Sequence, residues 1–243
     1  MKKFKFYSEK YSNKEAVKNN WVLSFMYGLS YPYSYLFMKL KLTPNFITLL
    51  SILTCGIACI FLIKLNIEYF ILFWLLSILF DFCDGTLARM TKNTRTTLFR
   101  YDHMSDLVKF SAVLLSIAIY FDNTYYWIAS FSCSFLYMYY SILDHDVVNL
   151  VINKVNKEDP LSISKKIRMR DRYKLVNFIA NKPKLFNFAK FFTPLISING
   201  HTLLLFTIMP LNIINAYIVI IYLFLLTLIG INFRVNILAQ TNK

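Results

Sequence analysis

The chain of 243 residues carries 57% hydrophobic and 18% aromatic residues but only 16% charged ones, and its mean hydropathy is +0.47. A soluble surface needs about a quarter charged residues, so a soluble enzyme, a disordered scaffold and a disulfide-framed secreted module are excluded. The charge is lopsided, 27 Lys and Arg against 13 Asp and Glu for a net +14, which points to nucleic acid, an anionic membrane surface or anionic substrates.

In chain order, residues 1–20 are polar and lysine-rich, so no cleaved secretory leader is expected there. Residues 19–38 are uncharged but mix Ser24, Gly28, Ser30, Pro32 and Ser34 with Tyr27, Tyr31, Tyr33 and Tyr35. Basic residues stand at both ends, Lys18 on one side and Lys39 and Lys41 on the other, so a crossing would put basic flanks on opposite faces. An aromatic helix lying in the headgroup region is predicted instead.

Uncharged gaps then locate the spans, because a crossing helix needs roughly 20 apolar residues. Residues 42–63, between Lys41 and Lys64, form one such gap, and residues 123–143, between Asp122 and Asp144, form another. Residues 191–233 carry no charge beyond a protonated His201 and are long enough for two spans, with Pro210, Asn212 and Asn215 supplying the turn. Two further segments reach spanning length only by taking in acids: Asp81 and Asp84 at the end of one, Asp102 and Asp106 at the start of the next.

Every Lys and Arg except Lys64 and Lys109 falls in the segments up to Lys41, from Arg89 to Arg100, from Asp144 to Lys190, or after Phe233. Under the positive-inside rule this alternation predicts an all-α polytopic integral membrane protein. It has an N-terminal interfacial helix, six transmembrane helices and both termini in the cytoplasm. The chain divides into residues 1–41 (N-terminus and interfacial helix), 42–143 (four spans), 144–190 (a basic cytoplasmic segment) and 191–243 (two spans and a tail). The basic run around Lys165–Lys174 reads as a positive-inside loop touching lipid headgroups, and its confinement to membrane-facing loops argues against nucleic acid. The four cysteines, Cys55, Cys59, Cys83 and Cys133, lie in apolar runs without metal-ligand spacing and read as buried thiols.

The acids are more telling. Asp81 and Asp84 are three apart and Asp102 and Asp106 four apart, so each pair shares a helix face. Ionisable groups inside spans are costly and mark function by default. Two carboxylate pairs brought to one depth would repel unless cations hold them. An all-oxygen donor set without His or Cys favours Mg²⁺, or Mn²⁺, and two adjacent ions suit a phosphoryl displacement.

The run Asp81-Phe-Cys-Asp84-Gly85-Thr-Leu-Ala88-Arg89, then Leu98, Asp102 and Asp106, closely resembles the signature of the CDP-alcohol phosphotransferase (CDP-alcohol phosphatidyltransferase) family, D-x2-D-G-x2-A-R-x8-G-x3-D-x3-D. Seven of its eight defining positions match. Thr43-Pro44-Asn45 followed by Thr48 is similar to the family's entry motif at the first span. The resemblance implies that Asp81, Asp84 and Asp102 bind two metal ions, with Asp106 both near a metal and the general base that deprotonates an acceptor alcohol. It implies that Gly85 and Ala88 let the nucleotide approach, that Arg89 and Asn45 contact phosphate, and that the protein is a homodimer. The implied reaction at the cytoplasmic face moves a phosphatidyl group from CDP-diacylglycerol to a small polar alcohol, releasing CMP in phospholipid biosynthesis. One alternative reverses the parts, sending a CDP-linked ethanolamine- or choline-like headgroup to a lipid alcohol. Leu98 replaces a family glycine, so an altered pocket is expected, and an inactive member is a further alternative. A cation transporter would also explain buried aspartates, but it gives Gly85, Ala88 and Arg89 no reason for their offsets.

Three other features read as ordinary. His103 points away from its acidic neighbours, Asp144-His145-Asp146 reads as a polar cap on a span, and His201 reads as a hydrogen-bonded histidine. Nothing in the sequence names the acceptor alcohol.

Overall fold

The computed structural model describes residues 21–92, 96–155 and 213–241, with the side chains of 96–103, 144–155, 213–217, 233 and 236–241 outside that description. Among the described residues every regular element is a helix. We number them α1 (Trp21–Lys39), α2 (Pro44–Ile63), α3 (Ile67–Met90), α4 (Thr96–Phe121), α5 (Thr124–Val155) and α6 (Ile213–Thr241). The expected span in 191–209, the basic run 165–174, His201, Pro210 and Asn212 lie outside the described residues.

The breaks between helices follow from local chemistry. α2 starts where Thr43 caps it, its Oγ1 accepting from the Phe46 amide at 3.3 Å, and Pro44 takes the first helical position, where no amide is needed. α5 starts behind Asn123, whose Oδ1 accepts from the Tyr125 amide at 2.9 Å. Lys41, Leu65, Lys92 and Asp122 follow α1 to α4 in turn, each with positive φ, a position that more often holds glycine. After α1 the Leu42 amide donates to the Phe37 carbonyl at 3.0 Å, and after α2 the Asn66 amide donates to the Phe61 carbonyl at 2.9 Å, which closes both helix ends.

α2 packs on both α3 and α4, α1 on α3, α5 on α4 and α6 on α5. One core threads the bundle through Cys55 and Ala58 of α2, Phe70 and Trp74 of α3, Val113 and Leu114 of α4, Cys133 of α5 and Leu223 of α6. The Phe110 and Tyr137 rings stack at 4.0 Å across α4 and α5. Arg234 of α6 donates to the Tyr140 hydroxyl of α5 and lies over its ring. All four cysteines are free and buried, as expected.

Polarity runs opposite to that of a water-soluble domain. Ser30, Ser34, Ser51, Ser77 and Thr86 are buried between helices, while Leu49, Leu53, Ile57 and Ile60 of α2 and Leu72 and Leu75 of α3 face outward. Such a surface suits lipid rather than water. Three described segments are long and apolar enough to cross a membrane: Pro44–Ile63, Ile67–Met90 and Met104–Phe121. They coincide with the first three expected spans.

Elsewhere the structure differs from expectation in detail. α5 covers the fourth expected span but is not among those three segments, because its many tyrosines and serines dilute its apolar character. It also runs on unbroken to Val155, past Asp144, so the boundary at 143 is not a helix end. At the other end of the chain α6 already includes Asn215, which was expected in a turn.

The expected interfacial segment is the helix α1, and it lies antiparallel against the C-terminal half of α3. Ser30 Oγ meets Thr86 Oγ1 at 3.3 Å, Ser34 Oγ donates to the Cys83 carbonyl at 3.2 Å, and the Phe37 and Phe80 rings are 6.1 Å apart. Its other side exposes Trp21, Phe25, Leu29, Tyr33 and Leu36.

Candidate active site

The C-terminal half of α3 meets α2 and α4 around a group of charged side chains. The three-residue spacing of Asp81 and Asp84 turns both carboxylates toward this junction, and Asp106 enters it from α4. Asp84 is 5% exposed, whereas the side chains of Asp81 and Asp106 are 23% and 38% exposed. The charges of Asp81, Asp106 and Lys109 all act on Asp84.

Each carboxylate has a partner on a different helix or turn. Thr48 Oγ1 of α2 lies 2.6 Å from Asp84 Oδ2 and 3.1 Å from the carbonyl of Pro44. A hydroxyl has one proton to donate, and the shorter contact directs it to the carboxylate, a bond strengthened by the acceptor's charge. Lys109 of α4 is buried; its Nζ donates to Asp81 Oδ1 and to Ser51 Oγ at 3.3 Å, and it forms an ion pair with Asp106 Oδ1 at 3.1 Å. Ser51 is itself held by α3: its Oγ donates to the Ser77 carbonyl at 2.8 Å and Ser77 Oγ donates to the Ser51 carbonyl at 2.7 Å.

Arg89 lies one turn beyond Gly85, and its side chain folds back over that glycine. A Cβ built on Gly85 would stand 3.4 Å from Arg89 Nη1 and 3.5 Å from Nη2. A methyl group at Gly85 would thus only touch the guanidinium at ordinary van der Waals distance. The guanidinium also sits 5.2 Å from the centre of the Tyr27 ring on α1, within cation–π range, and Tyr27 in turn meets Phe82 edge-on at 5.0 Å. Ala88 is half-buried beside it, and Asn45 is exposed at the start of α2.

The structure thus gathers Asp81, Asp84 and Asp106, with Gly85, Ala88 and Arg89 continuing along α3. Asp102 lies on the first turns of α4, but its side chain, like those of Leu98, His103 and Asp144-His145-Asp146, is outside the described residues. Thr48, Ser51, Lys109 and Tyr27 are the contributors that sequence reasoning left without a role. A signal for them exists: Thr48 and Ser51 are three apart on one face of α2, and Lys109 is three beyond Asp106 on one face of α4.

The donor set also bears on a metal ion. Asp81, Asp84 and Asp106 offer carboxylate oxygen alone, the chemistry that hard divalent cations prefer. Among the described residues no three such groups already converge as a ready metal site. Instead the Lys109 ammonium stands between Asp81 and Asp106, so a positive charge already rests among these carboxylates. The residues fit a divalent ion in chemistry and in the charge they attract.

Fold and site together define a helical membrane protein whose buried charges meet at one junction of three helices. The chain belongs to the CDP-alcohol phosphatidyltransferase family, whose model matches residues 41–180, more than half of its length. That match begins just before the Thr43 cap and takes in α2 to α5. Neither the curated proteins nor the solved structures gave a match to the chain. Membership makes it a transferase of CDP-alcohol phosphatidyl groups in phospholipid biosynthesis, and the three apolar segments make it an integral membrane protein.

Proposed function

We propose that the protein transfers a phosphatidyl group from CDP-diacylglycerol to a small polar alcohol at the cytoplasmic membrane face, releasing CMP. The observation that carries this reading is the meeting of Asp81, Asp84 and Asp106, all within the family segment, at the α2–α3–α4 junction. The charge alternation supports six crossings with both termini in the cytoplasm and residues 144–190 as the basic cytoplasmic segment. In that arrangement α1 lies at the cytoplasmic interface, its exposed aromatic side in lipid headgroups. The partners are the CDP-linked donor, the alcohol and membrane lipids, with a second copy of the chain as the family resemblance implies.

The chain's own groups divide the work. Asp106, the more exposed carboxylate, takes the proton of the acceptor hydroxyl. The freed oxygen forms a bond to the lipid-linked phosphorus as the pyrophosphate P–O bond breaks, and CMP leaves with the electron pair. Arg89, steadied by Tyr27, places its charge beside the phosphates, while Asn45 at the start of α2 and the small residues Gly85 and Ala88 border the nucleotide. Asp81, Asp84, Asp102 and Asp106 would hold Mg²⁺ or Mn²⁺, two ions by the family resemblance. Bound there, the metal would neutralise the pyrophosphate and stabilise the leaving phosphate. Thr48 keeps Asp84 oriented, since a buried carboxylate without a donor would be costly.

The test is incubation of the purified full chain with CDP-diacylglycerol, Mg²⁺ and a panel of alcohols, following CMP and the lipid product. CMP and a new phospholipid are expected for one alcohol of the panel. Turnover with CDP-ethanolamine or CDP-choline and diacylglycerol alone would reverse the assignment of donor and acceptor. No turnover with either donor, together with an Asp84-dependent cation flux in vesicles, would make the protein a transporter.

A further inference from the structure

Lys109 stands out at this site. Lys109 and Asp84 are the charged residues less than a tenth exposed among those described. A lysine near the end of a spanning segment ordinarily extends its amine toward the interface. This one instead lies under the site and ties three helices together, with Asp81 on α3, Asp106 on its own helix and Ser51 on α2. Ser51 is fixed by its reciprocal bonds with Ser77, so the ammonium rests in a built socket rather than against one flexible partner. Both carboxylates that it joins are among those that would hold divalent metal.

We propose that the Lys109 ammonium takes the place of one of two divalent ions, so that this chain binds a single ion where its carboxylate count suggests two. The inference rests on the reading that these carboxylates hold divalent metal. An ion entering between Asp81 and Asp106 would meet a fixed positive charge at contact distance and compete for oxygens already engaged. An ion held from the side of Asp84, whose Oδ2 is bonded to Thr48 rather than to an amine, meets no such competitor. The socket keeps the junction's carboxylates together without a second metal.

Titration of Mn²⁺ into the purified full chain in detergent, with free Mn²⁺ read by electron paramagnetic resonance, tests this. Binding that survives in an Asp81→Asn/Asp84→Asn chain is subtracted. Wild type is expected to hold one ion, Lys109→Arg also one, and Lys109→Met two. Lys109→Gln, which keeps a donor for Ser51, stands in for the methionine variant where that does not fold, with two ions again expected. Two ions on wild type, or one on wild type and on both neutral variants, would overturn the inference while leaving the metal reading intact. No site-dependent ion on any variant would overturn the metal reading and this inference with it.

Discussion

The two halves of α3 solve opposite problems with the same backbone. Its N-terminal half inserts Phe70, Trp74 and Ile78 into the apolar core, where the Phe70 side chain is wholly buried. Its C-terminal half carries Asp81, Asp84, Gly85 and Arg89, and here the neighbouring helices supply hydroxyls, an ammonium and an aromatic face. One half gains from filling space, whereas the other satisfies charge. In lipid the second task is the harder one, because no water replaces a missing partner.

The strongest break of the contrast is Asp106→Asn. It removes the proposed base at a half-exposed position, so CMP release should fall by about 10²- to 10⁴-fold while the thermal midpoint in detergent stays near wild type. A rate within ten-fold of wild type would show that Asp106 is not the base. Phe70→Ala should do the reverse. It opens a cavity in the packed half and should cost about 3 kcal/mol of stability, the low end for such a change because lipid, unlike water, receives an exposed ring readily. Folded protein that survives should keep its turnover per molecule, as judged by activity after removal of aggregate.

Thr48→Val sharpens the comparison with a smaller effect. The substitution keeps the shape and removes the 2.6 Å bond to Asp84. Loss of a hydrogen bond to a charged group is worth about 1.5 kcal/mol, so turnover should drop about ten-fold. Thr54→Val is the control, since among the described residues that hydroxyl bonds carbonyls of its own helix, Leu50 at 2.8 Å and Ser51 at 3.0 Å. Equal effects of the two changes would show that Asp84 does not depend on α2.

Tyr27→Leu is the mildest change. It removes the ring beneath Arg89, a contact worth about 0.5–1 kcal/mol. KM for the CDP-linked donor should rise two- to five-fold with kcat nearly unchanged, and an equal fall in kcat would place Tyr27 in the chemical step instead.

How much of this was legible before folding depended on range. The breaks after Ile63 and Phe121 were readable because the charges, the Asn123 cap and the short polar connections act within a turn of the chain. The extension of α5 to Val155 was not, because the charge-gap rule treats Asp144 as a boundary while a helix emerging toward water can carry aspartate without breaking. At the site, the spacing of Asp81, Asp84, Asp102 and Asp106 already exposed the carboxylates. Lys109 shares a face of α4 with Asp106 by its three-residue spacing, but nothing local said that it would reach across to Asp81 and Ser51.

What the sequence determined by itself was the inventory: an oily chain, helices as its elements, four aspartates at two helix ends and the family motif that links them. These follow from composition and from spacings of three and four residues, which backbone geometry converts directly into shared faces. What the tertiary structure decided was partnership. It chose Thr48 for Asp84, Lys109 for Asp81 and Asp106, and Tyr27 for Arg89. Charges and hydroxyls gain most where lipid and water are both excluded, and only helix packing determines which of them share such a space.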